Sequence, residues 1–209
     1  MKIQQRTYRL TGQTRILGAQ PANPDVRSEF IASKAATLAK GDEETDMLPD
    51  AENLEKKNLT VFLRDGDDGA LCLCDYVIKG FLKEALAVLK SEIGILAPAS
   101  KVDNFIKVDP AYLRFTRSGQ PITGCDVVFE RPLRAMTMQG PRTSVTASET
   151  INPGWQLDFT ISLIENTGTP KSRALTFDAI ESALDYGDFK GLGQWRNAQN
   201  GRFTWERIK

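Results

Sequence analysis

The sequence predicts an α+β fold whose core elements follow one another in the order β-α-β-β-α-β. Two segments repeat apolar residues every three or four positions, which is typical of amphipathic helices. Several other segments alternate apolar and polar residues, which is typical of strands that bury one face. The chain has 209 residues, of which 41% are hydrophobic, so it can form one domain with a sizeable core.

The residue pattern in the first half of the chain predicts strands, two helices and one long polar loop. In chain order these are a strand at 6–17 interrupted near Gly12, a short helix at 30–40, an exposed acidic loop at 41–58, a hairpin at 60–76 and a helix at 78–92. The helix at 78–92 carries the clearest pattern, because its apolar residues recur at spacings of three and four. Gly94 suits its C-terminal cap.

The second half predicts further strands and one more helix. In chain order these are short strands at 105–108 and 113–117, a strand at 126–138 broken by Pro132, a strand at 155–165, a helix at 175–186 and a last strand at 202–208. The complete order is that of the ferredoxin-like, or RRM-like, plan with large loop and hairpin insertions. Such a sheet has one open face, which in RRM-like proteins commonly binds single-stranded nucleic acid.

Composition excludes several kinds of chemistry. Histidine is absent, which excludes Ser-His-Asp and Cys-His catalysis. Three cysteines are an odd number for a disulfide framework. Cys72 and Cys74 share one face of a predicted strand, and we expect them to be small buried hydrophobes rather than zinc ligands. We therefore expect no metal and no cofactor.

The sequence also lacks the apolar segments that direct a protein to a membrane. No run of about 18 apolar residues is present. The N-terminal stretch has no apolar block of the kind found in signal peptides. We therefore expect a cytoplasmic protein that does not contact membranes.

Charge is balanced overall but unevenly distributed. The 27 basic residues equal the 27 acidic ones, and acidic residues crowd into 42–55, so the rest of the chain is net positive. The segment 131–148 has no acidic residue and carries Arg131, Arg134 and Arg142. This segment predicts either a solvated hairpin or an arm that reaches for an anionic partner.

The stretch GLGQWRNAQNGRF, residues 191–203, combines the groups that RNA contacts require. It contains three glycines, one indole and two guanidinium groups, which are Gly191, Gly193, Gly201, Trp195, Arg196 and Arg202. Glycine allows a backbone amide to approach a phosphate, arginine donates charge-assisted hydrogen bonds, and tryptophan stacks on bases. An alternative role for the indole is a core anchor that holds the loop to the second helix.

Two lysines form a second candidate contact. Lys79 and Lys83 are four residues apart near the predicted start of the helix at 78–92, so they share a face where a helix N-terminus favours phosphate. Two ordinary surface lysines would have the same spacing.

Four stretches in this order resemble the RAMP superfamily, the ferredoxin-like proteins that form the backbones of CRISPR effectors. GLGQWRNAQNGRF is similar to the C-terminal glycine-rich loop of that family, and TVFLRDGDDGALCLCDYVIKGFLKEAL is similar to its strand pair and helix start. ETINPGWQLDFTI and RLTGQTRILGA resemble two of its strands. The helix start departs from the family at Asp75 and Tyr76, where small residues are usual, and at Lys83, where arginine is common.

The resemblance implies a single RAMP-like domain over 1–209 that binds single-stranded RNA without catalysis. Its partners would be a guide RNA, other copies of itself and other effector subunits, with 131–148 acting as a thumb-like arm. The sequence is also compatible with two alternatives. One is a phage-encoded RAMP-like interaction protein that blocks or mimics a host defence complex. The other is a metal-dependent ribonuclease that uses Asp25 or the aspartates at 65–68.

Overall fold

The computed structural model describes residues 2–22, 59–137, 140–165 and 174–209. For 133–137 and 140–144 it describes the backbone alone. Three sequence predictions lie outside the described residues: the helix at 30–40, the acidic loop at 41–58 and the candidate Asp25.

The described chain is mixed α+β and mostly sheet. The strands are β1 (Ile3–Gly12), β2 (Ile16–Leu17), β3 (Gln20–Pro21), β4 (Leu59–Val61), β5 (Leu63–Asp65), β6 (Ala70–Cys74), β7 (Ile106–Asp109), β8 (Tyr112–Arg114), β9 (Thr116–Arg117), β10 (Gln120–Pro121), β11 (Val127–Thr137), β12 (Gly140–Ile151), β13 (Gln156–Ile164) and β14 (Phe203–Arg207). The helices are α1 (Asp75–Ile93), α2 (Pro98–Phe105), α3 (Phe177–Asp185), α4 (Gly187–Lys190) and a short 3-10 helix (Arg196–Ala198). None of the described helices has the length and hydropathy that a membrane span requires.

The main sheet has β1 at its centre. It follows the order β10-β9-β13-β1-β14, and β7 also pairs with β13. β1 is antiparallel to both neighbours, with Tyr8 opposite Phe159 on one side and Arg207 on the other. β7 is antiparallel to β13, with Val108 opposite Ile161. The neighbouring strands β14, β1, β13 and β7 therefore alternate in direction.

Alternation along these strands places the core on one face of the main sheet. Tyr8 and Leu10 on β1, and Phe159 on β13, are buried with at most 1% exposure. α1 covers this face and presents buried residues such as Leu82, and Phe81 packs edge-on against Phe203 with ring centroids 5.3 Å apart. α3 presents buried residues in the same core.

The second sheet carries a long hairpin formed by β11 and β12. Its order is β11-β12-β4-β3, and β2 pairs with β12. The hairpin is continuous from the pair of Val127 and Thr150 to the pair of Thr137 and Gly140. The prediction that Pro132 breaks this strand is wrong. β11 is the edge strand among the described strands, and an edge position tolerates a residue that has no N–H to donate.

Three further boundaries differ from the sequence predictions. The strand predicted to reach residue 76 ends at Cys74, and α1 begins at Asp75, where the backbone N–H donates to the carbonyl of Ala111 at 2.9 Å. α2, which has Pro98 in its first turn, is absent from the sequence predictions because it is only eight residues long and buries one side chain, Val102. The helix predicted at 175–186 extends from Phe177 to Asp185, and Gly187 begins the separate single turn of α4. The predicted left-handed cap at Gly94 is confirmed, with φ of 77°.

A tight corner joins the two sheets after β1. Gly12 donates to the carbonyl of Trp155 at 2.7 Å, and the indole N–H of Trp155 donates to the carbonyl of Thr14 at 2.9 Å. Trp155 is fully buried and packs edge-on against Phe115. A Cβ atom on Gly12 would lie 2.1 Å from Cε2 of the indole, so the corner requires glycine there.

We predict opposite effects for two glycine-to-alanine substitutions. Gly12→Ala forces the indole of Trp155 to shift and should destabilise the fold by about 1–3 kcal/mol or more, as overpacking does. Gly80→Ala lies within α1, where no atom is within 4 Å of the added methyl group, and should stabilise the fold by about 0.5–1 kcal/mol. Chemical denaturation of both variants checks this. Equal stability of the two variants would contradict the packing described for the corner.

Candidate nucleic-acid interface

The glycine-rich loop crosses over itself between α4 and β14. The N–H of Leu192 donates to the carbonyl of Gly201 at 2.9 Å. A Cβ on Gly201 would lie 1.8 Å from the carbonyl oxygen of Leu192, and one on Gly191 would lie 2.5 Å from that of Asn200. Gly191 and Gly201 are buried and have positive φ. The close approach of the protein's own backbone therefore explains why these two positions are glycine, and contact with a phosphate is not needed to explain them.

Gly193 is the third glycine and the more accessible one. It is partly buried, has φ of 78°, and a Cβ there would lie 3.0 Å from the carbonyl oxygen of Leu17. Its position holds the loop against the β1–β2 corner. Two hydrogen bonds strengthen the same contact, from the N–H of Gly201 to the carbonyl of Arg15 at 2.7 Å and from the N–H of Arg202 to Oγ1 of Thr14 at 2.9 Å.

Two arginines and two aromatic rings meet where this loop touches the base of the β11–β12 hairpin. The guanidinium carbon of Arg15 lies 3.8 Å from the ring centroid of Phe129. Phe129 stacks on Trp195 with centroids 5.9 Å apart, and the guanidinium carbon of Arg131 lies 4.8 Å from the Trp195 ring. We call these four residues the arginine–aromatic cluster. The structure thus brings together Trp195 of the loop and Arg131 of the arm.

Trp195 belongs to the surface part of this cluster rather than to the core. Its side chain is 38% exposed, and its backbone has φ of 55°, in the left-handed region. The following residues Asn197, Ala198 and Gln199 are exposed as well. The alternative that Trp195 is a core anchor does not fit this exposure, and part of the residue is open to solvent.

Arg131 is held at the base of the arm by polar side chains. It is only 5% exposed, and its guanidinium donates to Oγ of Ser148 at 3.1 Å and to Oε1 of Gln194 at 3.4 Å. The same Gln194 oxygen accepts a hydrogen bond from Oγ1 of Thr60 at 3.1 Å. Arg131 therefore supports Trp195 and Gln194 from within, whereas the sequence suggested a side chain that reaches outward.

The other two arginines of the arm lie farther along the hairpin. The backbone of Arg134 pairs with Thr143, and that of Arg142 pairs with Ala135. Their side chains lie outside the described part of the structure, so their role in the thumb-like arm stays a prediction.

Both arginines of the glycine loop form ion pairs. Arg196 contacts Glu84 of α1 with 2.6 Å between Nη1 and Oε2, and Lys190 contacts the other carboxylate oxygen at 2.8 Å. Arg202 pairs with Asp188 at 3.1 Å. Burial raises the pKa of Glu84, but hydrogen bonding and charge from Lys190 and Arg196 outweigh burial and hold that pKa below its usual value.

Lys79 and Lys83 do not lie at a helix N-terminus. Because α1 begins at Asp75, they are its fifth and ninth residues, beyond the first turn in which the helix dipole acts. Lys83 also forms an ion pair with Asp103 at 2.5 Å and is only 16% exposed. The prediction of a phosphate site at the start of this helix is therefore wrong, although Lys79 is partly exposed.

The open face of the main sheet is polar. Thr7 and Thr160 share a hydrogen bond of 3.0 Å, and Arg9 donates to both carboxylate oxygens of Asp158 at 2.8 and 2.7 Å. None of the described residues on the open face of β1, β13 and β14 is aromatic. Ile3 and Ile164 form an apolar pair at one end of this face, and the other residues are polar: Gln5, Thr7, Arg9, Thr11, Gln156, Asp158, Thr160, Ser162, Thr204 and Glu206. These strands lack the stacking platform on which RRM-like domains bind RNA.

A shallow cavity borders that face. It has a volume of about 350 Å³ and is lined in part by Tyr112, Arg114 and Asp158. Arg114 donates to Asp65 at 2.8 Å and to Asp68 at 3.4 Å, so two of the three aspartates at 65–68 form ion pairs with this arginine. Within the described ranges, no group of three or more potential metal ligands occurs.

The sequence patterns missed Arg15, Phe129, Gln194 and Glu84. Arg15 follows the predicted interruption after β1, and Phe129 alternates normally along its strand, so neither stands out locally. These residues acquire their role through side-chain contacts between a strand, a helix and loops that are more than sixty residues apart in the chain.

A comparison with protein-family models found no match, and a comparison with curated proteins found none. Among solved structures, the chain is similar to a chain in the structure described as "Cryo-EM structure of the Type III-B Cmr-beta bound to cognate target RNA". The two chains are 14% identical, with a TM-score of 0.49. The match covers 100% of this chain and 60% of that chain, so this chain spans about three-fifths of its length.

We predict that Phe129 and Trp195 are energetically coupled. Stacked aromatic pairs contribute about 0.5–1.5 kcal/mol beyond the area they bury. A double-mutant cycle with Phe129→Ala and Trp195→Ala, measured by chemical denaturation, should give a coupling energy in that range. The control cycle pairs Trp195→Ala with Tyr112→Ala, a half-exposed ring of β8, and should be additive. Additivity in both cycles would contradict the cluster.

Proposed function

We propose that this chain binds single-stranded RNA without catalysis, as a repeating backbone subunit of a CRISPR-type ribonucleoprotein effector. The observation that carries the proposal is the arginine–aromatic cluster, where a partly exposed Trp195 lies beside Arg131 at the base of a long hairpin. Guide RNA is the strand we propose for this site.

The order of the core elements supports a ferredoxin-like plan. The strands β14, β1, β13 and β7 are neighbours in that order, with α1 between β1 and β7 in the chain and α3 between β13 and β14. This arrangement is the one we propose as the RAMP-like core. The hairpin 127–151 is then an insertion between its second and third strands, which is the position expected of a thumb-like arm.

The chemistry of the cluster suits an unpaired RNA strand. Bases that are not in a duplex stack on aromatic side chains, and such stacking is typically worth about 1–3 kcal/mol per base. The guanidinium groups of Arg15 and Arg131 add positive charge beside the rings. Because every base has a flat face, contacts of this kind are tolerant of sequence, as a subunit that binds guides of many sequences requires.

A second candidate function, a protein-binding role, has an observation of its own. Phe189 is 79% exposed and stacks on Tyr186 with centroids 6.2 Å apart. The pair borders a cavity of about 290 Å³ between the C-terminal ends of α1 and α3. An exposed aromatic pair of this kind is typical of protein contacts. Such a contact could bind further copies of this chain or other effector subunits. It would equally serve a phage-encoded protein that binds and blocks a defence complex.

We predict that RNA binding depends on Trp195 and not on the open sheet face. Trp195→Ala should weaken binding of a fluorescein-labelled single-stranded RNA by about 5- to 150-fold, the loss expected for one stacked base. Fluorescence anisotropy over a series of salt concentrations measures this. Tyr112→Ala, which removes the exposed ring at the 350 Å³ cavity, is the control and should bind like the wild type.

Two results would contradict the proposal. Loss of binding in Tyr112→Ala, with Trp195→Ala unchanged, would place the strand on the open sheet face. Failure of the wild type to bind at any salt concentration would exclude RNA binding by the isolated chain.

We predict that Phe189 separates the two candidate functions. In the RNA-binding subunit, Phe189→Ser should leave the affinity for RNA unchanged, because the ring stacks on Tyr186 and is not part of the arginine–aromatic cluster. The same substitution should weaken self-association in sedimentation experiments. The purified wild type should carry nucleic acid, seen as a raised ratio of absorbance at 260 and 280 nm. A protein free of nucleic acid whose association depends on Phe189 would favour the interaction protein.

A further inference from the structure

Glu84 of α1 is in contact with two cations that flank the glycine loop. Its Oε2 lies 2.6 Å from Nη1 of Arg196, and its Oε1 lies 2.8 Å from Nζ of Lys190. None of the three side chains is sequestered in the core, since they are 33%, 18% and 27% exposed for Glu84, Arg196 and Lys190. The carboxylate therefore forms ion pairs with two cationic side chains at a solvent-accessible position.

The loop does not need this ion pair to keep its path. The hydrogen bonds between Leu192 and Gly201 and between Gly201 and Arg15 fix the crossing of the loop. Partly exposed ion pairs usually contribute little to stability, whereas hydrogen-bonded crossings such as this one define the backbone. The crossing of the loop is therefore fixed by backbone hydrogen bonds that do not involve Glu84.

A carboxylate with one cation on each oxygen has the same recognition chemistry as a phosphodiester. Both are anionic, both present two oxygen acceptors, and both accept charge-assisted hydrogen bonds from arginine and lysine. Glu84 remains ionised at neutral pH, because Lys190 and Arg196 hold its pKa below the ordinary value in spite of burial. The two cations are therefore already neutralised before any ligand arrives.

The position of this pair relates it to the proposed RNA contact. Arg196 directly follows Trp195, and it opens the 3-10 turn whose other residues are exposed. A strand that stacks a base on Trp195 brings its neighbouring phosphates to this turn, because phosphates and bases alternate along the backbone.

We propose that Glu84 is an internal phosphate mimic, which occupies Lys190 and Arg196 in the free protein and is displaced from them by a phosphate of the bound strand. This inference rests on the proposed RNA binding. A phosphate that replaces Glu84 gains ion pairs only as Glu84 loses them, so charge alone adds little to the affinity. The strand must therefore also contact Trp195. Glu84 would thereby favour unpaired RNA over other polyanions.

The test compares Glu84→Gln with a charge-matched control. Glu84→Gln keeps the size of the side chain and removes the negative charge that Lys190 and Arg196 contact. Glu92→Gln removes the same charge from an exposed position two turns along α1, next to the other cavity. Both variants and the wild type are titrated with the same labelled single-stranded RNA and with heparin, over a series of salt concentrations.

Glu84→Gln should bind RNA about three- to tenfold more tightly at low salt, with a slope of log K against log salt that is steeper by about 0.7 for each further phosphate neutralised. Its affinity for heparin should rise by a larger factor, since heparin offers anionic groups but no base to stack. Glu92→Gln should have the same slope of log K against log salt as the wild type, both for RNA and for heparin. Thermal unfolding confirms that each variant is folded.

The outcomes separate this inference from the proposed function. If neither the wild type nor Glu84→Gln binds RNA, RNA binding is wrong and the inference falls with it. If the wild type binds but Glu84→Gln binds no more tightly and keeps the same slope, the mimic is wrong while RNA binding stands. If Glu84→Gln does not fold, Glu84→Asp takes its place; it withdraws the carboxylate by one methylene, and an unchanged affinity and slope would overturn the inference.

Discussion

The corner formed by residues 12–15 is the contact on which the rest of the structure depends. It receives hydrogen bonds or close packing from Trp155 at the start of β13 and from the end of the glycine loop. The backbone approach at Gly12 is so close that no side chain fits beside the indole. Because β1 runs into this corner and β2 leaves it, the main sheet, the hairpin sheet and the glycine loop are all positioned by the same few residues.

The corner also explains why the candidate interface lies where it does. Arg15 belongs to the corner and stacks on Phe129 of the hairpin, and Phe129 stacks on Trp195 of the loop. The interface is therefore assembled from parts that the corner brings together. Its charges are largely satisfied within the protein, since Arg196 and Arg202 form ion pairs and Arg131 is buried. Flat aromatic surface, more than free charge, is what the described part of the site offers a ligand.

Local patterns predicted most of the regular elements, and long-range contacts account for what they missed. The helix at 78–92 and the strand at 155–165 were recognised because their periodicity reflects one buried face each. Pro132 was misjudged because its tolerance depends on β11 being an edge strand, which no local pattern reveals. The sequence indicates Trp195 and Arg131 as separate candidates, but their contact joins a loop to a distant strand, which no local pattern reveals. The ion pairs that engage Arg196 and Lys83 were equally invisible, since their partners lie on other elements.

The central claim is that a single strand of RNA lies against the arginine–aromatic cluster, and photochemical crosslinking tests it most directly. The full-length protein is irradiated with a single-stranded RNA that contains 4-thiouridine, and the crosslinked peptides are identified by mass spectrometry. We expect crosslinks on the peptides that carry Trp195 and Phe129. Crosslinks confined to the open face of the main sheet, around Arg9 and Asp158, would contradict the account.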